Sequence, residues 1–98
     1  MAFEDSYDFD ILVNEAEKMV ISELGRQLDS RGGNICRCNE CVVDMAAMAL
    51  NAVKPIYRVS LLGTLYASQA MNEESYAKSV RAEVSRAIEK VRKNPAHD

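Results

Sequence analysis

The sequence lacks tryptophan and has few other aromatic residues, four tyrosines and two phenylalanines in 98 residues. It has a single histidine, His97, and it lacks the G-x-x-x-x-G-K-[ST] and G-x-G-x-x-G motifs that bind nucleotide phosphates. A cysteine nucleophile needs a histidine partner, and a histidine in a terminal tail is a poor one. We therefore expect a protein that is not an enzyme, with a core of aliphatic, alanine and methionine side chains.

Long hydrophobic runs are also absent, since no stretch reaches the roughly 18 apolar residues that identify a membrane-spanning helix. The first ten residues, MAFEDSYDFD, are acidic and have neither the basic nor the apolar region of a secretory signal peptide. The sequence therefore predicts a cytoplasmic protein with no membrane contact. In that compartment thiols stay reduced, so clustered cysteines suggest metal or redox chemistry before disulfides.

The two signs of charge are distributed unevenly along the chain. Residues 1–30 contain eight acidic and two basic residues, whereas residues 31–93 contain ten basic and six acidic residues. The acidic first third argues against a DNA-binding function, because it repels nucleic acid. The later part of the chain is basic enough to present a local site to a small anionic ligand.

Hydrophobic periodicity indicates an all-α fold of three to four helices, in one domain that spans residues 1–98. After an acidic leader at residues 1–9, apolar residues recur at spacings of three and four from Asp10, which predicts a first helix that ends at DSRGGN, residues 29–34. A second helix is predicted from about residue 39 to residue 53. Its sequence VVDMAAMALNAV is apolar on nearly every face, so we expect it to be the most buried helix.

The second half of the chain combines two patterns. For residues 56–67 we predict an extended segment first and a short helix after Gly63. The last helix is predicted to be capped by Asn72 and to stop before Pro95, with a frayed tail at residues 94–98. Long amphipathic helices in so short a chain need cover for their apolar faces, so the sequence favours a homodimer over a self-sufficient monomer.

All three cysteines lie within the six-residue run CRCNEC, at Cys36, Cys38 and Cys41. Thiolates are good zinc ligands, and the short C-x-C-x-x-C spacing allows one loop to wrap an ion, but a structural zinc site normally has four ligands. The fourth could be Asp44, His97, a thiol from a second chain or water. Two alternatives to a metal site stay open, namely reduced thiols that pack the loop on the next helix, and a redox sensor.

A second candidate site is the stretch KPIYRVS at residues 54–60. In an extended segment, Lys54, Arg58 and Ser60 share one face and Tyr57 lies on the other. A guanidinium group can stack on a purine or hydrogen-bond it, and both cations can bind phosphates. The alternative interpretation is an ordinary edge segment with solvated charges.

These features together resemble the late-competence ComFB family. The resemblance rests on LVNEAEKMV in the first helix and on CRCNECVVDMAAMALNAVKPIYRVS. In the second stretch C-x-C-x-x-C is followed by an aspartate, a small apolar helix ending in A-L-N, a proline and a tyrosine. The resemblance covers residues 11–95 and is specific over residues 36–60.

The resemblance implies a small helical dimer of one of two kinds. Some family members are zinc-binding dimers with a cysteine site, and others are receptors for the cyclic dinucleotides c-di-GMP or c-di-AMP. We therefore expect a homodimer that binds a cyclic dinucleotide, with a preference for c-di-GMP because arginine suits guanine, and that acts through an unidentified protein partner. The alternative is a zinc-binding structural or regulatory dimer linked to competence, without a nucleotide ligand. The expected nucleotide contacts are Asn51, Lys54, Tyr57, Arg58 and Ser60, and the expected metal ligands are Cys36, Cys38 and Cys41.

Overall fold

Most residues of the chain lie in helices, which confirms the mostly helical fold expected from the sequence. The computed structural model describes residues 2–97, and of Leu61 the backbone only. Within this range no helix combines the length and the apolar content that crossing a membrane requires. The described part contains four α-helices: α1 (Ala16–Arg31), α2 (Asn39–Ala52), α3 (Leu61–Met71) and α4 (Glu74–Lys93).

The first helix starts later than the sequence predicts, at Ala16 instead of Asp10. Residues Phe9–Ile11 form a short 3-10 turn, and Val13–Asn14 then form a strand, β1. The side chain of Asn14 explains the late start, because its Oδ1 accepts hydrogen bonds from the backbone N–H of Ala16 at 3.1 Å and from that of Ile56 at 2.8 Å. A contact between segments 42 residues apart thus overrides the local helical pattern.

The second strand, β2 (Tyr57–Arg58), pairs with β1 in an antiparallel arrangement, with Val13 opposite Arg58 and Asn14 opposite Tyr57. The extended segment predicted for this part of the chain is therefore present. The helix that follows it begins at Leu61, before Gly63 and not after it. The reason is Ser60, whose Oγ accepts a hydrogen bond from the backbone N–H of Gly63 at 3.0 Å and caps α3.

The boundaries of the other helices match simple stop and start signals, with one exception. The first helix ends at Gly32, whose φ of 81° lies in the region that favours glycine. The second helix spans almost the predicted range and ends before Pro55. The prediction that Asn72 caps the last helix is wrong, because Asn72 closes α3 and α4 begins at Glu74 after Glu73.

The core lies where α1, α2 and α4 meet. Contacts at both ends show that the second and fourth helices run in opposite directions. The hydroxyl of Tyr76 at the start of α4 donates to the carbonyl of Lys54 just after α2, at 2.8 Å, and His97 after α4 lies next to Cys36 before α2. The buried apolar residues of this core come from one face of each of the three helices and from Val53: Ala16, Val20, Leu24 and Leu28 of α1, Cys41, Met45 and Ala49 of α2, and Val80, Val84, Ala87, Ile88 and Val91 of α4.

The prediction that α2 is the most buried helix is wrong for a single chain. Cys41, Met45 and Ala49 are buried on one face, but Val43 is 57% exposed and Met48 is also exposed. Both neighbouring helices pack on the same side of α2, so the other side of this apolar helix faces outward. An apolar surface thus remains uncovered within one chain.

Candidate functional site

The three cysteines and the single histidine come together at one end of the α2–α4 pair. Cys38 caps α2, and its Sγ accepts a hydrogen bond from the backbone N–H of Cys41 at 3.5 Å. Cys41 lies in the first turn and is buried, whereas Cys36 lies on the exposed loop. Because α2 and α4 are antiparallel, the tail after α4 returns to this loop and places Nε2 of His97 3.3 Å from Sγ of Cys36.

This group has the composition and size of a metal site. The ligand atoms of Cys36, Cys38, Cys41 and His97 all lie within 4.8 Å of one another. A tetrahedral zinc ion holds sulfur and nitrogen ligands about 3.4–3.8 Å apart, so a contraction of about 1 Å would complete the site. Of the fourth ligands considered from the sequence, His97 is the one that belongs to the group, and the half-buried Asp44 lies outside it.

The surroundings of Cys36 favour the thiolate form of its side chain. The hydrogen bond with His97, together with the backbone and side chain of Cys38, lowers the pKa of Cys36 to about 6. The backbone N–H of Cys41 acts to lower the pKa of Cys38, but the neighbouring thiolate of Cys36 and burial outweigh it and raise that pKa to about 11. Cys36 is therefore a thiolate at neutral pH, which is the form that binds metals.

A groove lies at the other end of the same helix pair, between β2 and the start of α4. Its volume is about 590 Å³, within the range of small-molecule sites. Two residues predicted to contact a nucleotide, Lys54 and Tyr57, line it, and Tyr57 is 61% exposed. The full lining is Lys54, Pro55, Ile56, Tyr57, Ala70, Glu73, Ser75, Tyr76 and Ser79.

The other three predicted nucleotide contacts do not line this groove. Arg58 is half-buried, and its Nε donates to Oε1 of Glu15. The hydroxyl of Ser60 is engaged at the start of α3, and Asn51 is exposed near the end of α2. Lys54, Arg58 and Ser60 therefore do not share one face, as expected for an extended segment. The reason is that β2 is only two residues long and pairs with β1.

Comparison with known proteins identifies the family. The family model described as late competence development protein ComFB matches residues 13–95. The chain belongs to the ComFB family. The match includes the three cysteines and both strands, and it stops before His97. No curated protein matches the chain.

A solved structure supports the fold of this ComFB-family chain. The chain is similar to the late competence protein ComFB from Bacillus subtilis, with 24% sequence identity and a TM-score of 0.70. The similarity covers 86% of this chain and 91% of that one. At this identity the likeness shows the shared helical fold, and the chemistry of the sites has to come from this chain's own residues.

Sequence reasoning missed two residues around the groove and β2 of this ComFB-family chain. Glu15, which holds Arg58, and Tyr76, which closes one side of the groove, were not singled out. The stretch LVNEAEKMV contains both Asn14 and Glu15. An asparagine followed by an acid just before a helix was therefore the available signal for this contact.

Proposed function

We propose that this ComFB-family protein is a non-enzymatic binding protein whose helical body is stabilised by a zinc ion at Cys36, Cys38, Cys41 and His97. The observation that carries the proposal is the convergence of four ligand atoms within 4.8 Å, contributed by two segments far apart in sequence. Thiolate and imidazole ligands in a tetrahedral set favour zinc over magnesium or calcium, which prefer oxygen.

The proposed role of the ion is structural. Four protein ligands fill a tetrahedral zinc ion and leave no open position for the water that a catalytic zinc needs. With the ion bound, the tail after α4 would be fixed to the loop before α2. This would hold the two antiparallel helices at the end opposite the groove.

The test is the zinc content and zinc affinity of the purified full chain. We expect about one zinc per chain, bound tightly enough to compete with a chromophoric chelator. His97→Ala should weaken binding by about 10-fold or more, and Cys38→Ser should abolish it. Asp44→Asn is the matched control, because it removes an acid one turn after Cys41 that lies outside the ligand group. Wild-type protein without zinc, or equal affinity in His97→Ala, contradicts the proposal.

We further propose that the groove between β2 and α4 binds a cyclic dinucleotide in a homodimer, which passes the signal to a protein partner. The observation that favours this function is that Lys54 and Tyr57 line the same groove of about 590 Å³. The ammonium group of Lys54 would bind a phosphate, and the exposed ring of Tyr57 would stack on a purine. A two-fold dimer would suit a two-fold ligand.

The groove also contains a carboxylate that would favour guanine over adenine. Arg58, the expected reader of guanine, is held by Glu15, so it does not support the preference for c-di-GMP. Glu73 lines the groove, and a carboxylate only accepts hydrogen bonds. Guanine offers donors at N1 and N2, whereas adenine offers only its N6 amino group. We therefore keep c-di-GMP as the preferred ligand, with Glu73 in place of Arg58.

Calorimetric titration of the full chain with c-di-GMP and with c-di-AMP tests this second function. Lys54→Ala and Tyr57→Ala should each weaken binding by about 10-fold or more, since each removes a main contact. Lys78→Ala is the matched control for charge, because Lys78 is exposed on α4 and does not line the groove. If neither ligand at tens of micromolar produces heat or a thermal shift, the nucleotide proposal is contradicted. The zinc proposal would be unaffected by that result.

A further inference from the structure

The first residues of the chain carry an aromatic cluster that the rest of the fold leaves uncovered. The rings of Phe3, Tyr7 and Phe9 lie close together, with centroids 4.9 Å apart for Phe3 and Tyr7 and 6.3 Å apart for each of the other two pairs. The three residues are nevertheless 70%, 60% and 50% exposed. Both phenylalanines of the chain thus lie outside its core, in an exposed apolar cluster that is typical of an interaction surface.

Local contacts of the backbone hold this aromatic cluster in place. Phe3–Ser6 and Phe9–Ile11 each form a short helical turn. The side chain of Asp8 accepts a hydrogen bond from the backbone N–H of Asp10 at 3.1 Å. None of residues 2–12 is buried. Side chains can therefore be replaced here without disturbing the helical core.

All charges within the cluster are negative. Glu4, Asp5, Asp8 and Asp10 are interleaved with the three rings, and residues 2–12 contain no basic residue. The ion pairs in the part of the chain that the structure describes include none of these four acids. This surface therefore attracts cations, and it repels nucleic acid and anionic membranes, whose phosphates carry the same sign of charge.

The arrangement of the acids favours a cationic polypeptide over a metal ion. Among the described residues, these four acids do not form a group whose carboxylate oxygens converge on one point. Separated carboxylates next to exposed rings suit a segment with several cationic side chains. Arginine fits best, because its planar guanidinium group can stack on a ring and also hydrogen-bond a carboxylate through two N–H groups.

A second copy of the chain fits this surface less well than another protein does. All seven arginines of the chain already pair with acids of the same chain. The acidic segments of two copies would also repel each other, since like charges repel. The charges therefore select an arginine-bearing segment of a different protein.

We propose that residues 3–10 bind an arginine-rich segment of a protein partner, whose guanidinium groups stack on the aromatic cluster and pair with the neighbouring carboxylates. This inference rests on the protein partner of the proposed function, and it gives that partner a surface and a sign of charge. Residues 3–10 shortly precede β1, which pairs with β2, and Tyr57 of β2 lines the groove. A partner bound here would therefore lie beside the strand pair that forms one side of the groove.

The test is the binding of two short fluorescent peptides to the full chain, measured by anisotropy. In one peptide arginine alternates with serine, and in the other lysine takes the place of arginine. We expect the arginine peptide to bind at least about 5-fold more tightly, because the guanidinium group stacks on aromatic rings more favourably than the strongly hydrated ammonium group.

Variants of the chain separate the rings from the acids. Replacement of all three rings by alanine should weaken binding of the arginine peptide by about 10-fold or more. The matched control is Tyr66→Ala, which removes a ring that is 64% exposed on α3, a helix without charged residues. This control should bind like the wild type. The double variant Glu4→Gln, Asp5→Asn keeps the rings and should weaken binding by at least about 3-fold.

Several results would overturn the inference. These are no binding of either peptide by the wild type, equal affinity for both peptides, or wild-type affinity in the variant without rings. If circular dichroism shows a loss of helix in that variant, the double acid variant decides, and wild-type affinity there overturns the inference. Loss of self-association in the variant without rings, with no effect on peptide binding, would assign the surface to a second copy instead. The zinc and nucleotide titrations are separate measurements, so failure of either proposal leaves this test intact.

Discussion

The Nε of Arg58 donates a hydrogen bond to Oε1 of Glu15 at 2.5 Å, between β2 and the residue that precedes α1. The side chain of Glu15 is only 8% exposed and that of Arg58 is 24% exposed. Next to this pair, Asn14 accepts hydrogen bonds from both segments. The three side chains together hold the start of α1, β2 and, through the short link to Ser60, the start of α3.

Replacement of Glu15 by Gln should destabilise the protein. The half-buried guanidinium of Arg58 would lose its charged partner, and an unpaired cation in that position is unfavourable. We expect a fall in Tm of at least about 5 °C in a domain of this size. Glu17→Gln is the matched control, since Glu17 is an exposed acid two residues further on, in the first turn of α1. Equal Tm values for the two variants would show that the ion pair contributes little.

The same pair makes stability depend on pH. The hydrogen bond from Arg58 holds the pKa of Glu15 below its ordinary value of 4.5, against the opposing effect of burial. A carboxyl whose pKa is lowered by folding stabilises the fold above its unfolded pKa and loses that contribution as pH falls through the folded pKa. Urea unfolding should therefore show a gap between the wild type and Glu15→Gln at pH 7 that narrows below about pH 4.5. A gap that widens at acid pH contradicts this reasoning.

Two glycines should respond in opposite ways to replacement by alanine. A Cβ at Gly25, in the middle of α1, would have no atom within 4 Å, so Gly25→Ala should gain about 0.5–1 kcal/mol of unfolding free energy from helix propensity. A Cβ at Gly63 would lie 3.3 Å from Cβ of Arg58 and 3.5 Å from Oγ of Ser60. Because the ion pair holds Arg58, Gly63→Ala should gain nothing or lose stability. Chemical denaturation of both variants measures the difference. An equal gain in unfolding free energy in both would show that β2 shifts easily to make room for the added methyl group.

Removal of the metal should destabilise the protein only when the ligand group is intact. Chelation with excess EDTA is expected to lower the Tm of zinc-loaded wild type by about 10 °C or more, since a structural ion contributes directly to folding. The Tm of Cys38→Ser should be low from the start and insensitive to EDTA. An EDTA effect of the same size in Cys38→Ser would place the metal elsewhere.

The sequence predicts those parts of the molecule that depend on local signals. The three core helices follow from apolar periodicity, and the ends of α1 and α2 follow from Gly32 and Pro55. The cysteine cluster was evident from spacing, but the choice of His97 depends on the antiparallel packing of α2 and α4, which returns the tail to Cys36. Local sequence patterns do not predict the direction in which α2 and α4 pack. All four candidates for the fourth ligand therefore stayed open.

The late start of α1 and the pairing of Arg58 have the same physical origin. Asp10 was expected to start α1 because its periodicity is helical, but Asn14 binds the backbone of Ile56 and forces a strand first. Arg58 was predicted to contact a nucleotide because a guanidinium group can stack on a purine or hydrogen-bond it, and the fold pairs this side chain with Glu15, 43 residues away. Both cases are long-range polar contacts, which a one-dimensional pattern cannot reveal.

A zinc ion between Cys36 and His97 would turn the segment containing α2, α3 and α4 into a closed ring. The two residues are 61 positions apart, and closing a flexible loop of that length costs about 3–4 kcal/mol of chain entropy. An ion that stayed bound during unfolding would impose this restriction on the denatured chain, as a disulfide does. Unlike a disulfide, the ring would open on acidification, because protonated thiols and imidazolium release the metal.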